Sequence, residues 1–423
     1  MVLHRDLWIH RQVENLSFLD ADRMRRRVSV DFTIPNVDGI DGAGDTVFLP
    51  VALLRKHVMK GFDLRDEHGG SLPCTNLLQH NAIVQKMLAT AVLGALAGEG
   101  EDVSTDAKAV VQSLQEVVIA DDPQAKGLWE ARCAQDGTPE HEVARNKDAH
   151  ALIEDLEAQF VLFVPIKAAP GSRRVVKYSL EAPIGNGSSD HRAGYVKRLK
   201  RACLLDPWPI YIDAPIAGRA RSVHVEVVAP DELAIYYARL FYPQAQQDET
   251  IVQMTGPTAI AHLHPNRVPD RGKLVELEVG FVLRRDGFAT AGALIALSTT
   301  LLLASGVALH LNGIAPRTDA AGAVVVALPA LYAPALTISS THRLVRRIVG
   351  KVRALVLTSA ALSFIAAASL AAGLEHHDRT WLWVVLLLFS LPSTVIMCTA
   401  WAKAPQKPST EPVLSPQRDK LGV

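Results

Sequence analysis

The last third of this chain holds four long apolar segments, Gly287 to His310, Ala321 to Ile338, Ala354 to Leu374 and Thr380 to Ala402, none containing Asp, Glu, Lys or Arg. An α-helix rises about 1.5 Å per residue and the hydrocarbon core of a bilayer is roughly 30 Å thick, so segments of this length read as transmembrane helices. The second is the shortest and carries Pro329 and Pro334. Each proline removes a backbone donor and crowds the preceding turn, so a kink is expected there. The chain is thus expected to be a soluble α+β region, residues 1–283, followed by a four-helix transmembrane bundle, 284–402. A tail, 403–423, is expected to be disordered, with Pro405, Pro408, Pro412 and Pro416 among Lys, Ser and Thr.

The loops set an expected orientation. Arg284 and Arg285 precede the first span, Arg343, Arg346, Arg347, Lys351 and Arg353 fill the connection between the second and third, and Lys403, Lys407, Arg418 and Lys420 follow the fourth. The other two loops hold Arg317 with Asp319, and Glu375, Asp378 and Arg379 beside His376 and His377, so neither is net positive. Basic loops are retained on the cytoplasmic side during insertion, which makes both termini cytoplasmic. Met1 to Asp20 contains His4, Arg5, Asp6, His10, Arg11 and Glu14, leaving no apolar run for a signal peptide. Alanine-rich spans point to a bacterial inner membrane.

Formal net charge is zero, but residues before Arg284 carry 31 basic and 38 acidic side chains, and the remainder 13 and 6. Acidity concentrates in Glu99 to Glu157, where 15 carboxylates face 5 basic residues. Nucleic acids and anionic headgroups bind through Lys and Arg, so this segment should avoid both, and no nucleic-acid partner is expected. Cys74, Cys133, Cys203 and Cys398 form no CxxC pair and read as small buried hydrophobes in a reducing compartment.

Within the soluble region, Val28, Val30, Phe32 and Ile34 alternate with Ser29, Asp31 and Thr33, and the turn-rich Asn36 to Asp45 leads to an apolar run at Val47 to Leu53. This predicts a half-buried strand, a loop and a partner strand. From Asn76 the period lengthens through NLLQHNAIVQKMLATAVLGALA, TDAKAVVQSLQEVV and EHEVARNKDAHALIEDLEAQF, predicting three helices over 76–157. Strand patterns return at Phe160 to Val164, Arg174 to Leu180, Ser222 to Val228, Leu233 to Phe241, Ile260 to His264 and Lys273 to Leu283. The expected organisation is an α+β region, 1–157, and an antiparallel β-sandwich-like domain, 158–283.

Chemical signatures are sparse. His262 and His264 share one strand face without an identifiable third ligand, so a polar strand face is preferred to a metal site. Adjacent Glu375, His376, His377 and Asp378 read as a solvated loop. DGIDGAGD lacks the spacing and closing Glu of a calcium loop, and IGNGSSD lacks the Lys-Ser/Thr of a phosphate loop, so both read as plain loops. No GxSxG, HExxH, dinucleotide or kinase pattern occurs. No catalytic residue, cofactor or metal is expected.

Two places stand out mechanically. Only Arg284, Arg285 and Asp286 separate the strand ending at Leu283 from the first span. Three residues reach about 10 Å, so the soluble region must rest near the membrane. In HRLVRRIVGKVR, the basic side chains of Arg343, Arg346, Arg347 and Lys351 oppose Leu344, Val345, Ile348, Val349 and Val352. Such a helix either lies among headgroups or extends the neighbouring spans. The hydroxyls of Ser298, Thr299, Thr300, Thr358, Ser359, Ser363 and Ser369 suit helix packing. The leading expectation is a membrane-anchored binding, sensor or scaffold protein, with the bilayer and an unidentified protein or small molecule as partners. An oligomeric channel or membrane-perturbing effector gated by the soluble region is the alternative, and an enzyme without a recognisable motif a weaker one.

Overall fold

β1 (Ile9–Phe18) and β2 (Arg23–Thr33) form an antiparallel hairpin. Alternate side chains are buried: Gln12, Glu14, Leu16 and Phe18 from one strand, Met24, Arg26, Val28, Val30 and Phe32 from the other. Its turn is fixed by Asp20, whose carboxylate accepts the backbone N–H groups of Asp22 at 2.9 Å and Arg23 at 2.8 Å. The computed structural model describes residues 7–35, 46–56, 60–96, 103–119, 122–134, 138–167, 170–184, 195–203, 205–213, 220–241, 260–263, 276–312, 320–337, 342–372 and 374–405. The loop Asn36 to Asp45, IGNGSSD after Ile184, His264, the loop with Arg317 and Asp319, and the tail from residue 406 lie outside the described residues.

After the hairpin come β3 (Thr46–Arg55) and β4 (Lys60–Arg65), then α1 (Leu77–Leu96), α2 (Val103–Ile119), α3 (Asp122–Cys133), α4 (Pro139–Arg145) and α5 (Lys147–Ala158). The third expected helix divides at Asn146, whose side chain caps α5 by accepting from Asp148 and Ala149. The chain continues through β5 (Gln159–Lys167), β6 (Arg173–Pro183), α6 (Tyr195–Ala202), β7 (Trp208–Asp213), β8 (Ser222–Val228), β9 (Leu233–Phe241), β10 (Ile260–Leu263) and β11 (Glu276–Leu283).

One sheet has the order β10-β8-β1-β2-β6-β4, a second β7-β11-β9, and a third pairs β3 with β5. All described pairings are antiparallel except β1 with β8, which run parallel with Glu14 opposite Val225. The expected β2–β3 pairing does not form: β2 lies between β1 and β6, and β3 pairs with β5. Strands from both sides of residue 157 share the largest sheet, so the boundary expected there runs through it.

Three apolar clusters organise the molecule. One joins residues of all three sheets, among them Val30, Leu49 and Phe281, to the membrane helices. A second packs α1 to α5 around Leu114 and Ile153 and meets β3 and β5 at Leu53, Val161 and Phe163. The third lies among the apolar helices around Leu303, Leu362 and Trp383.

These helices are α7 (Thr290–Leu311), α8 (Ala320–Thr337), α9 (Arg343–Ala371) and α10 (His376–Lys403). Three stretches, Gly287–Leu311, Arg343–Ala371 and His377–Lys403, are long and apolar enough to cross a membrane. In α8, Gly322–Tyr332 is only a shorter apolar helix, so the second expected span falls short of its neighbours. Pro329 and Pro334 lie within α8, each removing one backbone donor. Hydroxyls bond between helices: Thr300 contacts Ser390 at 3.0 Å and Thr394 at 2.7 Å, and Ser359 contacts Ser393 at 2.9 Å. Ser298 instead donates to its own helix at Ile295. None of the cysteines is buried: Cys74 is exposed, and Cys133, Cys203 and Cys398 are intermediate.

In the three-stranded sheet, Gly280 lies beneath the Tyr237 ring, and an added Cβ would come within 2.3 Å of Tyr237 Cε1. Gly280→Ala is expected to destabilise the fold by about 1–3 kcal/mol, because the ring must leave its position. Gly94→Ala, on an exposed helix position with open space around it, should stabilise by up to about 1 kcal/mol. Thermal melting of the two variants checks the contrast.

Candidate functional site: a basic junction and a cationic sheet face

The junction is held at three points. Leu283 is buried in the sheet core, while the Arg284 N–H donates to the Glu232 carbonyl at 3.2 Å and its guanidinium to the Asp231 carbonyl at 2.7 Å. Residues Arg285–Ala289 make a π-helical turn, with Gly287 at φ 86°, a left-handed value that favours glycine. The Arg285 N–H donates to the Pro405 carbonyl at 3.1 Å, and its guanidinium stands 4.0 Å from the Trp401 ring centroid. Trp401 in turn donates to the Thr290 hydroxyl at 3.0 Å. The start of α7 and the end of α10 are therefore side by side.

The basic segment is the beginning of α9 itself. Leu344, Val345, Ile348, Val349 and Val352, each at most 2 % exposed, enter the same apolar cluster as the sheets. The face that a headgroup-lying helix would turn to lipid is thus packed on protein. Arg343, Arg346, Arg347 and Lys351 stay exposed on the other side, and Arg353 sits 5.8 Å from the Phe288 ring. The β1–β2 hairpin grips this helix: His342 Nε2 lies 3.0 Å from the Phe18 carbonyl, and Arg347 pairs with Asp22 at 3.0 Å. α6 lies beside α9, and Lys403 donates to the Leu205 carbonyl just beyond α6 at 3.1 Å. Burial pushes the Cys203 thiol up, and the nearby Lys351 charge opposes that shift.

The second feature is the outer face of the six-stranded sheet. Register places Asn15 opposite Arg27, Arg27 opposite Ser179, Ser29 opposite Lys177 and Lys177 opposite Arg65. Alternation brings all of these to one face, where a shallow cavity of about 470 Å³ is lined by Arg25, Arg27, Arg65 and Lys177 with Asn15, Ser29, Ser179 and Asp63. Asp63 is occupied by Arg65 at 2.7 Å, and Arg25 stands 3.6 Å from Glu181. Sequence reasoning did not single out this cluster, although the run Arg23, Arg25, Arg27 at alternate positions was visible.

Two buried carboxylates are fully engaged. Glu14, 2 % exposed, pairs with Arg26 at 2.9 Å inside the sheet core. Burial pushes its carboxyl up, and Arg26 opposes the shift. Glu278 accepts from Tyr237 at 2.7 Å, Tyr211 at 3.3 Å and the Arg239 Nε and Nη2 at 2.7 Å. Burial, and then the bond to Glu278, hold the Tyr237 phenol well above its usual range. With this lone-pair occupancy Glu278 ties three strands together rather than standing ready as a base.

Among the described residues no group of three His, Cys, Asp or Glu is placed to hold a metal ion. Glu375, His377 and Asp378 fall at the start of α10, with both His377 and Asp378 exposed. His262 lies in β10 opposite Glu226, its side chain outside the described residues. No protein-family model matches this chain, and no curated protein matches it.

The clamp at the hairpin has a pH signature. The backbone N–H of Asp22, followed by Arg23, holds the Asp20 carboxyl below its ordinary value of 3.8. A carboxylate depressed by folding adds stability that is fully present above pH 3.8 and fades as pH falls through the lower, folded value. Asp20→Ala should therefore cost about 0.5–2 kcal/mol at pH 7, and nearly nothing in strong acid. Denaturant titrations of both proteins at several pH values check this.

A second expectation concerns the connection itself. Because α9 carries apolar contacts of its own, a flexible Gly/Ser insertion after Leu283 should leave the sheets docked. Ile348→Asp, which buries an unpaired charge, should release them at a cost of several kcal/mol. Limited proteolysis of the two variants distinguishes these outcomes.

Proposed function

We propose that this chain is a membrane-anchored binding protein, in which the apolar helices fix the sheet module at a membrane surface and the open sheet face takes up a small anionic ligand. The observation that carries this reading is the convergence of Arg25, Arg27, Arg65 and Lys177 on one cavity that also offers Asn15, Ser29 and Ser179. Four cations line the cavity with Asp63, while Glu181 reaches Arg25 at 3.6 Å and Glu226 accepts from the Asn15 amide at 2.9 Å. The remaining excess of cations favours an anion, and guanidinium groups present paired donors to phosphate or carboxylate oxygens. The amide and hydroxyl groups add orientation.

The orientation that accompanies this reading places the junction, and both termini, on the cytoplasmic side of a bacterial inner membrane. Its support is the basic collar formed by Arg284, Arg285, Arg343, Arg346, Arg347, Lys351 and Lys403. Four crossings are part of the same proposal. α7 starts beside the end of α10, and α9 starts at the sheets, so α8 must return the chain from the far end of α7. A sandwich-like stacking of the sheets is consistent with the single apolar cluster they share.

The test is calorimetric titration of the full chain in nanodiscs with inorganic triphosphate. Binding is expected to weaken about tenfold or more for each of Arg27→Ala and Lys177→Ala, as loss of a charge-assisted hydrogen bond predicts. An unperturbed isotherm in the double variant, or no heat from the natural sequence, would overturn the proposal.

A further inference from the structure

α6 is amphipathic in the wrong sense for a helix on a water-facing surface. At 100° per residue, Tyr195, Val196 and Leu199 share one face, while Lys197, Lys200 and Arg201 share another. Globular helices turn the apolar face inward. Here Tyr195 is 81 % exposed, Val196 64 % and Leu199 52 %, whereas Arg201 is 8 % exposed. Of the four charged residues only Arg201 turns to the protein; Lys197, Arg198 and Lys200 are exposed together with the apolar side chains.

Its position supplies a reason. α6 lies beside α9, and the segment just beyond it is tied to Lys403 at the last residue of α10. Lys351, two residues before Arg353, acts on Cys203 immediately after the helix. Arg353 and Lys403 bound the charge-free stretches of α9 and α10, so α6 stands at the level where apolar helix gives way to charged helix. Lys197 and Lys200 are exposed, as are Arg343, Arg346, Arg347 and Lys351 on the neighbouring α9.

We infer that α6 is an interfacial helix that inserts Tyr195, Val196 and Leu199 into the acyl boundary of the membrane and sets Lys197 and Lys200 against anionic phospholipid headgroups. The inference rests on the membrane reading of the apolar helices and is independent of the ligand proposed for the sheet face. An apolar face flanked by lysines is what partitions at an anionic bilayer surface, with tyrosine at the polar boundary. Each lysine near such a surface is expected to change headgroup preference roughly fivefold.

The test uses full-length protein in nanodiscs of phosphatidylcholine with phosphatidylglycerol. With Cys74, Cys133, Cys203 and Cys398 replaced by Ser, nitroxide labels are placed through Leu199→Cys and, on the exposed face of α9, Phe364→Cys. Both labels are expected to collide with oxygen and be shielded from a water-soluble nickel chelate. A nickel-accessible label at 199 beside a shielded one at 364 overturns the inference and leaves the membrane anchor standing. Nickel access at 364 overturns the anchor itself, and shielding of 199 from both reagents means a protein surface covers α6 and also overturns the inference. In the natural cysteine background, Lys197→Gln with Lys200→Gln should lower phosphatidylglycerol retention over phosphatidylcholine about 25-fold in native mass spectrometry. Unchanged retention would overturn the headgroup contact.

Discussion

Five aliphatic side chains of α9, Leu344, Val345, Ile348, Val349 and Val352, belong both to an apolar helix and to the core of the sheets. At roughly 1.5–3 kcal/mol for each fully buried aliphatic side chain, an upper range, their joint burial outweighs the polar contacts around them. The exposed Arg347–Asp22 pair contributes about 1 kcal/mol or less. Such polar contacts set the angle at which α9 enters, and the aliphatic face supplies the strength. Sheets and bundle consequently share a continuous core, and the three residues after Leu283 are one attachment among several.

The buried polar groups within the sheets play a different part. Replacing a buried ion pair by apolar residues is often neutral or stabilising, so Glu14–Arg26 is poor evidence for stability as such. Its geometry specifies register. Arg26 stands opposite Leu16 and Glu14 opposite Val28, and a slip by one residue would turn Arg25 and Arg27 into the core and Arg26 outward. That slip would also dismantle the cationic face, so the buried pair and the exposed cluster are two consequences of one alternation. Glu278 does the same for the smaller sheet, since its partners Tyr211 and Arg239 come from β7 and β9 on either side of β11.

This explains which parts of the fold could be read in advance. Three of the four expected apolar spans, and the strands with aliphatic alternation such as Val223, Val225 and Val227, were legible because their inward positions are apolar or small. β1 was not, because Gln12 and Glu14 occupy inward positions and make the strand look like a polar terminus. Losing β1 also loses the parallel partner of β8, and the β2–β6 and β4–β6 pairings that cross residue 157 are equally absent from local periodicity, hence a boundary placed through a sheet. Strand partners are set by long-range contacts that local periodicity does not contain. The junction residues were legible from spacing, but the direction in which α9 turns its apolar face was not, since lipid and protein core attract the same side chains.

The molecule thus carries two cationic surfaces with unlike neighbours. On the sheet, Arg25, Arg27, Arg65 and Lys177 are interleaved with amide and hydroxyl groups at intermediate exposure. Such a surface can replace the hydration of a small anion group by group. On α6, Lys197 and Lys200 are interleaved with Tyr195, Val196 and Leu199, which contribute only where water is absent on the outer side. Charge alone would let either surface take either partner. The side chains between the charges divide the labour, with the hydrogen-bonding face suited to a soluble anion and the aliphatic-aromatic face to the bilayer in which α7, α9 and α10 stand.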